Sequence, residues 1–139
     1  MNQETAFQSA RLDHPGGTRV RSILRELRGS TGGSVDAAAA ITGDGMIIAS
    51  VLQEGVDADR FAAMSASLLA LAEREIAEIR RGQMRQLLIE GTEGAVLLVQ
   101  AGADAVLAVS TEPGALMGKV FLEARRAAAE LQKCLDASD

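Results

Sequence analysis

The sequence predicts an α+β domain with the element order α-β-β-α-β-β-β-α. Three segments of the 139-residue chain carry apolar residues at helical spacing. Five short β-branched or aliphatic runs lie between these segments, and turns rich in Gly and Asp separate the runs as in antiparallel hairpins. With 47% hydrophobic and 24% charged residues, the composition is that of a folded domain rather than a disordered segment.

Residues 1–17 are predicted to form a flexible N-terminal extension, and residues 18–137 a single folded domain. The extension is polar and ends in a cluster of helix-breaking residues, His14-Pro15-Gly16-Gly17. The first helix follows, with Thr18 placed to cap its start and Gly29 to end it. Its apolar residues recur at i, i+3, i+4 and i+7: Val20, Ile23, Leu24 and Leu27.

The five strands are arranged as a hairpin followed by a meander. Val35 to Thr42 and Met46 to Val51 flank Gly43-Asp44-Gly45, and an Asp-Gly pair between two such runs favours a tight hairpin turn. The other three runs are joined by short glycine-containing turns: Met84 to Glu90, Ala95 to Gln100, and Ala105 to Ser110.

The remaining two helices are also bounded by typical start and stop residues. Asp57 can cap the middle helix, which is predicted to run to about Arg80 and Arg81, where Gly82 stops it. Pro113 is predicted to lie in the first turn of the last helix, because that turn tolerates a missing N–H.

The middle helix is apolar on two sides. One stripe has large residues that can cover a sheet: Phe61, Met64, Leu68, Leu71, Ala72, Ile76 and Ile79. The other side is small or apolar where a surface helix would be polar: Ala62, Ala66, Leu69, Ala70, Glu73 and Ala77. Because a helix that is apolar on both sides is normally buried on both, we predict that the second side is a seam between two subunits. The alternative is that these alanines reflect only high helix propensity.

Composition and charge exclude several functional classes. Only 2% of the residues are aromatic and the net charge is −5, whereas nucleic-acid binding needs exposed rings or a basic surface. One Cys and one His exclude a disulfide framework and the usual structural zinc sets. No apolar run approaches the roughly 20 residues of a membrane helix, and the polar start lacks the order of a secretory signal. We therefore expect a cytoplasmic protein with no nucleic-acid partner and no membrane insertion.

No catalytic arrangement is recognisable in the sequence. The segment from Gly114 to Val120 is one residue too short between its glycines for a phosphate loop, and Val120 replaces the hydroxyl that ligates magnesium. His14 and Cys134 have no partner at a spacing used in nucleophilic catalysis. Three acids of the middle helix fit a charged helix end better than a paired-acid site: Glu73, Glu75 and Glu78. The sequence therefore predicts no enzyme, no cofactor and no metal site.

One basic patch lies on and before the first helix and includes Arg19, Arg21, Arg25 and Arg28. Two interpretations remain open for it. The patch is either a solvated face, partly paired with Glu26, or a docking surface for an acidic partner or a membrane surface.

Several motifs, taken in order, resemble the Roadblock / dynein light chain domain family from roughly residue 20 to residue 135. The helical ones are Leu24-x-x-Leu27 and Phe61-Ala62-Ala63-Met64-Ser65-Ala66-Ser67. The strand motifs are Asp36-Ala37-Ala38-Ala39-Ala40-Ile41, Gly43-Asp44-Gly45-Met46-Ile47-Ile48-Ala49-Ser50, and Gly82-x-x-Arg85-Gln86-x-Leu88-Ile89-Glu90-Gly91 followed by Gly94. Their order and spacing, rather than any single motif, make the resemblance specific.

The resemblance implies a five-stranded antiparallel sheet in the order 2-1-5-4-3, with the middle helix on one face and the terminal helices on the other (a profilin-like sandwich). It also implies a homodimer in which the third strands pair edge to edge and the middle helices pack together. The third strand has no Pro and no mid-strand Gly, so its edge is unprotected against pairing. The predicted interface therefore combines the seam of the middle helix with three third-strand residues: Arg85, Leu87 and Ile89.

Family members act as non-catalytic partners, and bacterial and archaeal members commonly regulate Ras-like small GTPases. The resemblance thus implies a regulator or scaffold whose partner is a Ras-like small GTPase. We expect the partner at the outer groove of the paired middle helices, where four residues flank the seam: Ala63, Ser67, Arg74 and Glu78. Two alternatives remain open, namely a small-ligand sensor domain of a signalling system and a structural adaptor like the dynein light chains.

Overall fold

The structure, a computed structural model, describes residues 17–137. Most of the predicted extension, together with His14, therefore lies outside the described residues. The predicted element order is confirmed. The elements are α1 (Gly17–Ser30), β1 (Val35–Thr42), β2 (Ile47–Val51), α2 (Ala58–Glu78), β3 (Gln86–Gly91), β4 (Gly94–Gln100), β5 (Ala105–Thr111) and α3 (Met117–Ala137).

The five strands form one antiparallel sheet in the order β2-β1-β5-β4-β3. This order confirms the topology that the family resemblance implied. The central strand β5 pairs with β1 on one side and β4 on the other, so that Ala108 lies opposite both Ala39 and Leu98. The sheet has two edges, β2 and β3, and β3 is the strand predicted to pair with a second copy.

Helices cover the two faces of the sheet unequally. On one face α1 and α3 pack against each other and against the strands, around side chains that include Leu24, Leu107 and Leu131. On the other face α2 is the one helix among residues 17–137, and it packs over side chains that include Ile47 of β2, Ala39 of β1, Ala108 of β5 and Leu98 of β4. A helix is about 10 Å wide and strands lie about 4.8 Å apart, so a single helix leaves part of a five-stranded face uncovered.

Small side chains bring α2 close to the sheet. β1 contains four consecutive buried alanines, Ala37 to Ala40, of which Ala39 belongs to the core under α2, whereas Ala38 and Ala40 belong to the core under α1 and α3. At Gly45, in the turn between β1 and β2, an added Cβ would lie 3.2 Å from the Cα of Ala63 on α2. Because backbone approaches backbone here, the position requires glycine for space as well as for its φ of +92°.

All three helices have boundaries that differ from those predicted. α1 runs from Gly17 to Ser30, so Thr18 and Gly29 lie within it rather than at its ends. The α-helical part of α2 ends at Glu78 rather than at Arg80 and Arg81. Arg80 instead adopts a left-handed φ of 57°, and the Arg81 N–H donates to the carbonyl of Ile76 at 3.0 Å. This is a helix-ending turn of the type that glycine usually closes, and here arginine occupies the glycine position.

The last helix begins at Met117, so the prediction that Pro113 lies in its first turn is wrong. Pro113 instead belongs to a turn in which the Ala115 N–H donates to the Glu112 carbonyl at 3.2 Å. The Leu116 N–H, ahead of the helix, donates to the Ser34 hydroxyl at 3.2 Å. That bond satisfies a backbone group that a longer helix would have used.

Within residues 17–137, no helix is both long enough and apolar enough to span a bilayer.

Replacing Gly45 by Ala tests the close approach of α2 to the sheet. We expect Gly45→Ala to lower the free energy of unfolding by about 2–4 kcal/mol, because it adds overpacking to the strain of a positive φ. Gly55→Ala is the matched control: its φ of +91° is almost the same, but no atom lies within 4 Å of the added Cβ. We expect it to cost only about 1 kcal/mol. Urea unfolding followed by circular dichroism measures both, and equal losses would contradict the close approach.

Candidate interaction surface

The start of α2 is fixed by its cap and by a buried first turn. The Asp57 side chain accepts a hydrogen bond from the backbone N–H of Arg60 at 3.1 Å, as predicted for a capping residue. Ala62 is fully buried against the sheet one turn later. The cap and this contact together set which side of α2 faces the strands.

The structure reverses the predicted orientation of α2. The side that contacts the sheet contains Ala62, Ser65, Ala66 and Leu69, all of which are buried. Ala62, Ala66 and Leu69 had been predicted to form the seam between subunits. They are instead covered by the strands of their own chain, so this part of the prediction is wrong.

The reason for the reversal is the small size of the side chains on both surfaces. Residues 62, 65, 66 and 69 have the same i, i+3, i+4, i+7 spacing as the larger stripe, so periodicity alone does not choose between the two sides. On the face toward α2, Ala39 of β1 and Ala108 of β5 have small side chains and Gly45 has none, so the helix packs with its small side inward. Complementary small residues on α2 and β1 are the sequence signal that would have identified this contact.

Large apolar side chains of α2 consequently point into solvent. We call this set, together with the capping residue Ile79 at the C-terminal end of α2, the α2 ridge; the exposed fractions are Met64 57%, Leu68 41%, Leu71 61% and Ile79 55%. Phe61, Ala72 and Ile76, which were predicted to lie on the same stripe, are half-buried between the ridge and the sheet. Contiguous exposed apolar side chains of this kind are typical of interaction sites.

The remaining predicted residues of α2 lie on its solvent side. Three of the predicted seam residues are exposed: Ala70, Glu73 and Ala77. The four residues predicted to bind a partner are exposed as well: Ala63, Ser67, Arg74 and Glu78. Within residues 17–137 no ion pair joins Arg74 to Glu78, and both charges are available to a partner.

The edge strand β3 presents a second accessible surface. Arg85, just before the strand, is exposed, Leu87 is half-buried, and Ile89 is 39% exposed. Leu87 packs beside the core under α2, and by strand alternation Ile89 lies on the same face. The α2 ridge and these two β3 side chains therefore lie on the same side of the sheet.

The basic patch of α1 and Cys134, which the sequence also singled out, make contacts within their own chain. Arg19 on α1 lies 3.5 Å from Glu26 and 3.8 Å from Glu130, and Arg21 is buried, so much of the basic patch is engaged within the chain. Cys134 is half-buried and packs beside the core of the α1–α3 layer. Among residues 17–137, no group of three or more His, Cys, Asp or Glu side chains could hold a metal ion.

An open cavity of about 340 Å³ lies between α3 and the strands β3 and β4. The residues that line it include Gln86, Arg125 and Gln132, and Arg85 borders it just before β3. Arg125 Nε donates a hydrogen bond to Gln86 Oε1 at 3.3 Å. Among residues 17–137, no acidic residue lines this cavity, so the Arg125 guanidinium leaves it positively charged.

Comparison with known sequences identifies a family. The family model described as "Roadblock/LC7 domain" matches residues 23–111. An uncharacterized protein of Methanocaldococcus jannaschii, MJ1340, is 34% identical over 113 residues, which cover 81% of this chain and 96% of that protein.

Solved structures share the fold. A structure described as "MglB with tetrameric arrangement" superposes with a TM-score of 0.83 at 22% identity, covering 94% of this chain and 98% of that chain. The gliding protein MglB of Thermus thermophilus gives 0.81 at 21% identity, covering 93% and 97%. Profilin IA of Acanthamoeba castellanii gives 0.59 at 18% identity, covering 84% and 96%, which agrees with the predicted profilin-like sandwich.

Two arginine substitutions on α2 test its orientation. We expect Ala62→Arg to lower the free energy of unfolding by about 3 kcal/mol or more, because it places a charge against the sheet where no partner exists. Ala70→Arg, two turns later on the solvent side, should change it by less than about 0.5 kcal/mol. Urea unfolding at one fixed protein concentration measures both. A larger loss for Ala70→Arg than for Ala62→Arg would contradict the orientation described here.

Proposed function

The chain belongs to the Roadblock/LC7 domain family, and from this premise we propose that it is a non-catalytic homodimeric regulator that binds a Ras-like small GTPase. Domains of this family are regulatory or adaptor domains. The observation that carries the proposal is the α2 ridge, a row of large apolar side chains that residues 17–137 leave exposed. A second copy of the chain supplies an apolar surface of matching size.

The energetics indicate that the ridge does not act alone. Its four side chains are about half exposed, so burial contributes about 1 kcal/mol each and about 8 kcal/mol for two copies. Association costs about 4–15 kcal/mol in lost translational and rotational freedom. Burial of the ridge therefore provides little net free energy of association. We propose that the two β3 edges also pair, with Arg85, Leu87 and Ile89 in this part of the interface.

The proposed dimer replaces the seam predicted from sequence. Met64, Leu68 and Leu71 take the central place that Ala62, Ala66 and Leu69 were expected to hold. The exposed residues Ala70, Glu73 and Ala77 lie on the opposite flank of α2, roughly half a turn around the helix from the ridge, and are outside the contact in this arrangement. Two chains joined in this way form one sheet of ten strands with both α2 helices on the same face.

The GTPase is proposed to bind across the two α2 helices. The small side chains of Ala63 and Ser67 permit close approach of another backbone, and Arg74 and Glu78 supply unpaired charges for specificity. Across two copies this surface can reach the standard size of about 800 Å² per partner. The partner then contacts both subunits, which makes binding dependent on the dimer.

A structural adaptor would use the same surfaces without changing the nucleotide cycle of its partner. A small-ligand sensor would instead use a cavity such as the one between α3 and β3. Turnover measurements on the GTPase distinguish the first alternative. Native mass spectrometry distinguishes the second, because a retained ligand adds mass to each subunit.

The dimer is tested by placing a charge on the α2 ridge. We expect Leu71→Glu to weaken self-association about a hundredfold, because each copy would carry an unpaired carboxylate into an apolar contact. Leu122→Glu is the matched control, since Leu122 is 60% exposed but lies on α3, on the opposite layer. Light scattering after gel filtration measures the mass of each protein over a concentration series. Equal masses for wild type and Leu71→Glu would contradict the proposed seam.

The partner is tested by titrating the full chain with the Ras-like GTPases encoded in the same genome, each loaded with a GTP analogue or with GDP. We expect one of them to bind, and Arg74→Glu to weaken that binding about tenfold through loss of a charge contact. Arg28→Glu, which changes an exposed arginine on α1, should bind like wild type. Calorimetry measures affinity, and light scattering verifies that both variants remain dimers. Failure of all these GTPases to bind the wild-type dimer would overturn the GTPase assignment.

A further inference from the structure

We infer that two copies of the chain pair through β3 in one specific register, with Leu88 on the two-fold axis, and that Arg125 forms an ion pair with the partner subunit's Glu90. This inference rests on the proposed function, because it requires the homodimer. It adds the register of the contact and the charge pair that selects it.

The outer edge of β3 has its backbone groups in a defined order. The Gln100 N–H donates to the carbonyl of Arg85 at 3.3 Å, so the backbone groups of Arg85 point toward β4. Because this direction alternates along an antiparallel strand, those of Leu87 and Ile89 also point toward β4. The intervening residues direct their N–H and C=O groups away from the sheet, toward an incoming strand: Gln86, Leu88 and Glu90.

Symmetry and hydrophobic matching choose the register. A two-fold axis perpendicular to the sheet pairs side chains on the same face, so it passes through a residue of β3. With the axis at Leu88, that residue meets its own copy and Leu87 meets Ile89, so every apolar side chain of the strand faces an apolar one. An axis at Leu87 would place Ile89 against Arg85, and an axis at Ile89 would place Leu88 against Glu90. Both of these registers oppose apolar side chains to charges.

The Leu88 register brings opposite charges together on the face covered by α3. The partner subunit's Glu90 then lies directly opposite Gln86, with Cβ atoms about 5 Å apart. Gln86 Oε1 already accepts a hydrogen bond from Arg125 Nε at 3.3 Å, so the carboxylate arrives beside the Arg125 guanidinium. Within residues 17–137, neither Glu90 nor Arg125 has an ion-pair partner in the single chain.

The carboxylate of the partner subunit's Glu90 can enter the cavity between α3 and β3. This cavity has a volume of about 340 Å³, and among residues 17–137 its lining includes the Arg125 side chain and no acidic residue. Because the dimer is symmetric, the pair forms twice. Arg85, on the other face, lies opposite Gly91 of the second copy and keeps its head group in water. The contact therefore favours a second copy of this chain over a related chain without an acid at this position.

A charge swap tests the pair without requiring either variant to dimerise well by itself. Glu90→Lys and Arg125→Glu each place like charges at both contact sites of a homodimer. We expect each to weaken self-association about tenfold. In a mixture of the two variants, the heterodimer has one native pair and one reversed pair, so we expect heterodimers to exceed the statistical half of all dimers. Glu54→Lys, in the exposed connection before α2, is the control and should mix statistically with wild type.

Native mass spectrometry of differently tagged proteins measures the mixture, and circular dichroism verifies that each variant is folded. Statistical mixing of Glu90→Lys with Arg125→Glu, with wild-type affinity for both homodimers, would overturn this register while leaving the proposed dimer intact. A wild-type chain that remains monomeric over the same concentration range would overturn the dimer itself, and the register with it. The two failures are thus distinguishable.

Discussion

The close packing of α2 on an alanine-rich sheet is the constraint on which the other features of this structure depend. The inner side of α2, with Ala62, Ser65 and Ala66, faces a part of the sheet that carries Ala39 and Ala108, and Gly45 leaves no side chain between the hairpin turn and the helix. Small residues on both surfaces bring the two backbones together, so a large side chain on the inner side of α2 would force them apart. The larger apolar residues of the helix are therefore left on its outer side, where residues 17–137 do not cover them.

The unequal layers of the domain follow from the same packing. α1 and α3 share one face of the sheet, whereas among residues 17–137 α2 is the one helix on the other face, over side chains of β1, β2, β4 and β5. A five-stranded sheet is roughly 20–25 Å wide, about twice the width of a helix. The β3 side of that face therefore stays accessible, as the exposure of Ile89 shows. The exposed α2 ridge and the accessible edge of β3 both occur because, within residues 17–137, this face of the sheet carries one helix and the other face carries two.

Sequence patterns predicted the elements well, because each depends on local chemistry. An Asp directly before a helix caps it through its own side chain, as Asp57 does for α2. The Asp-Gly pair at residues 44–45 likewise forms the predicted turn between β1 and β2. The orientation of α2 did not follow from pattern, because the small and large stripes have the same helical spacing. Only the height of the opposing surface, which Ala39, Ala108 and Gly45 keep low, decides which stripe turns inward. The start of α3 was missed for a related reason, since the Leu116 N–H is satisfied by Ser34, a residue far away in the sequence.

Apolar burial and charge have separable roles in such a surface. The α2 ridge can stabilise contact with any apolar surface of suitable shape, so it supplies affinity without choosing a partner. Selection requires groups that are costly to mismatch, and the β3 region carries them in a fixed order: Arg85 and Gln86, then three apolar residues, then Glu90. A charge at each end of a short apolar strand penalises registers that shift apolar residues onto charges. The β3 edge is thus accessible to a second chain, and its order of charged and apolar residues restricts the register in which that chain can pair.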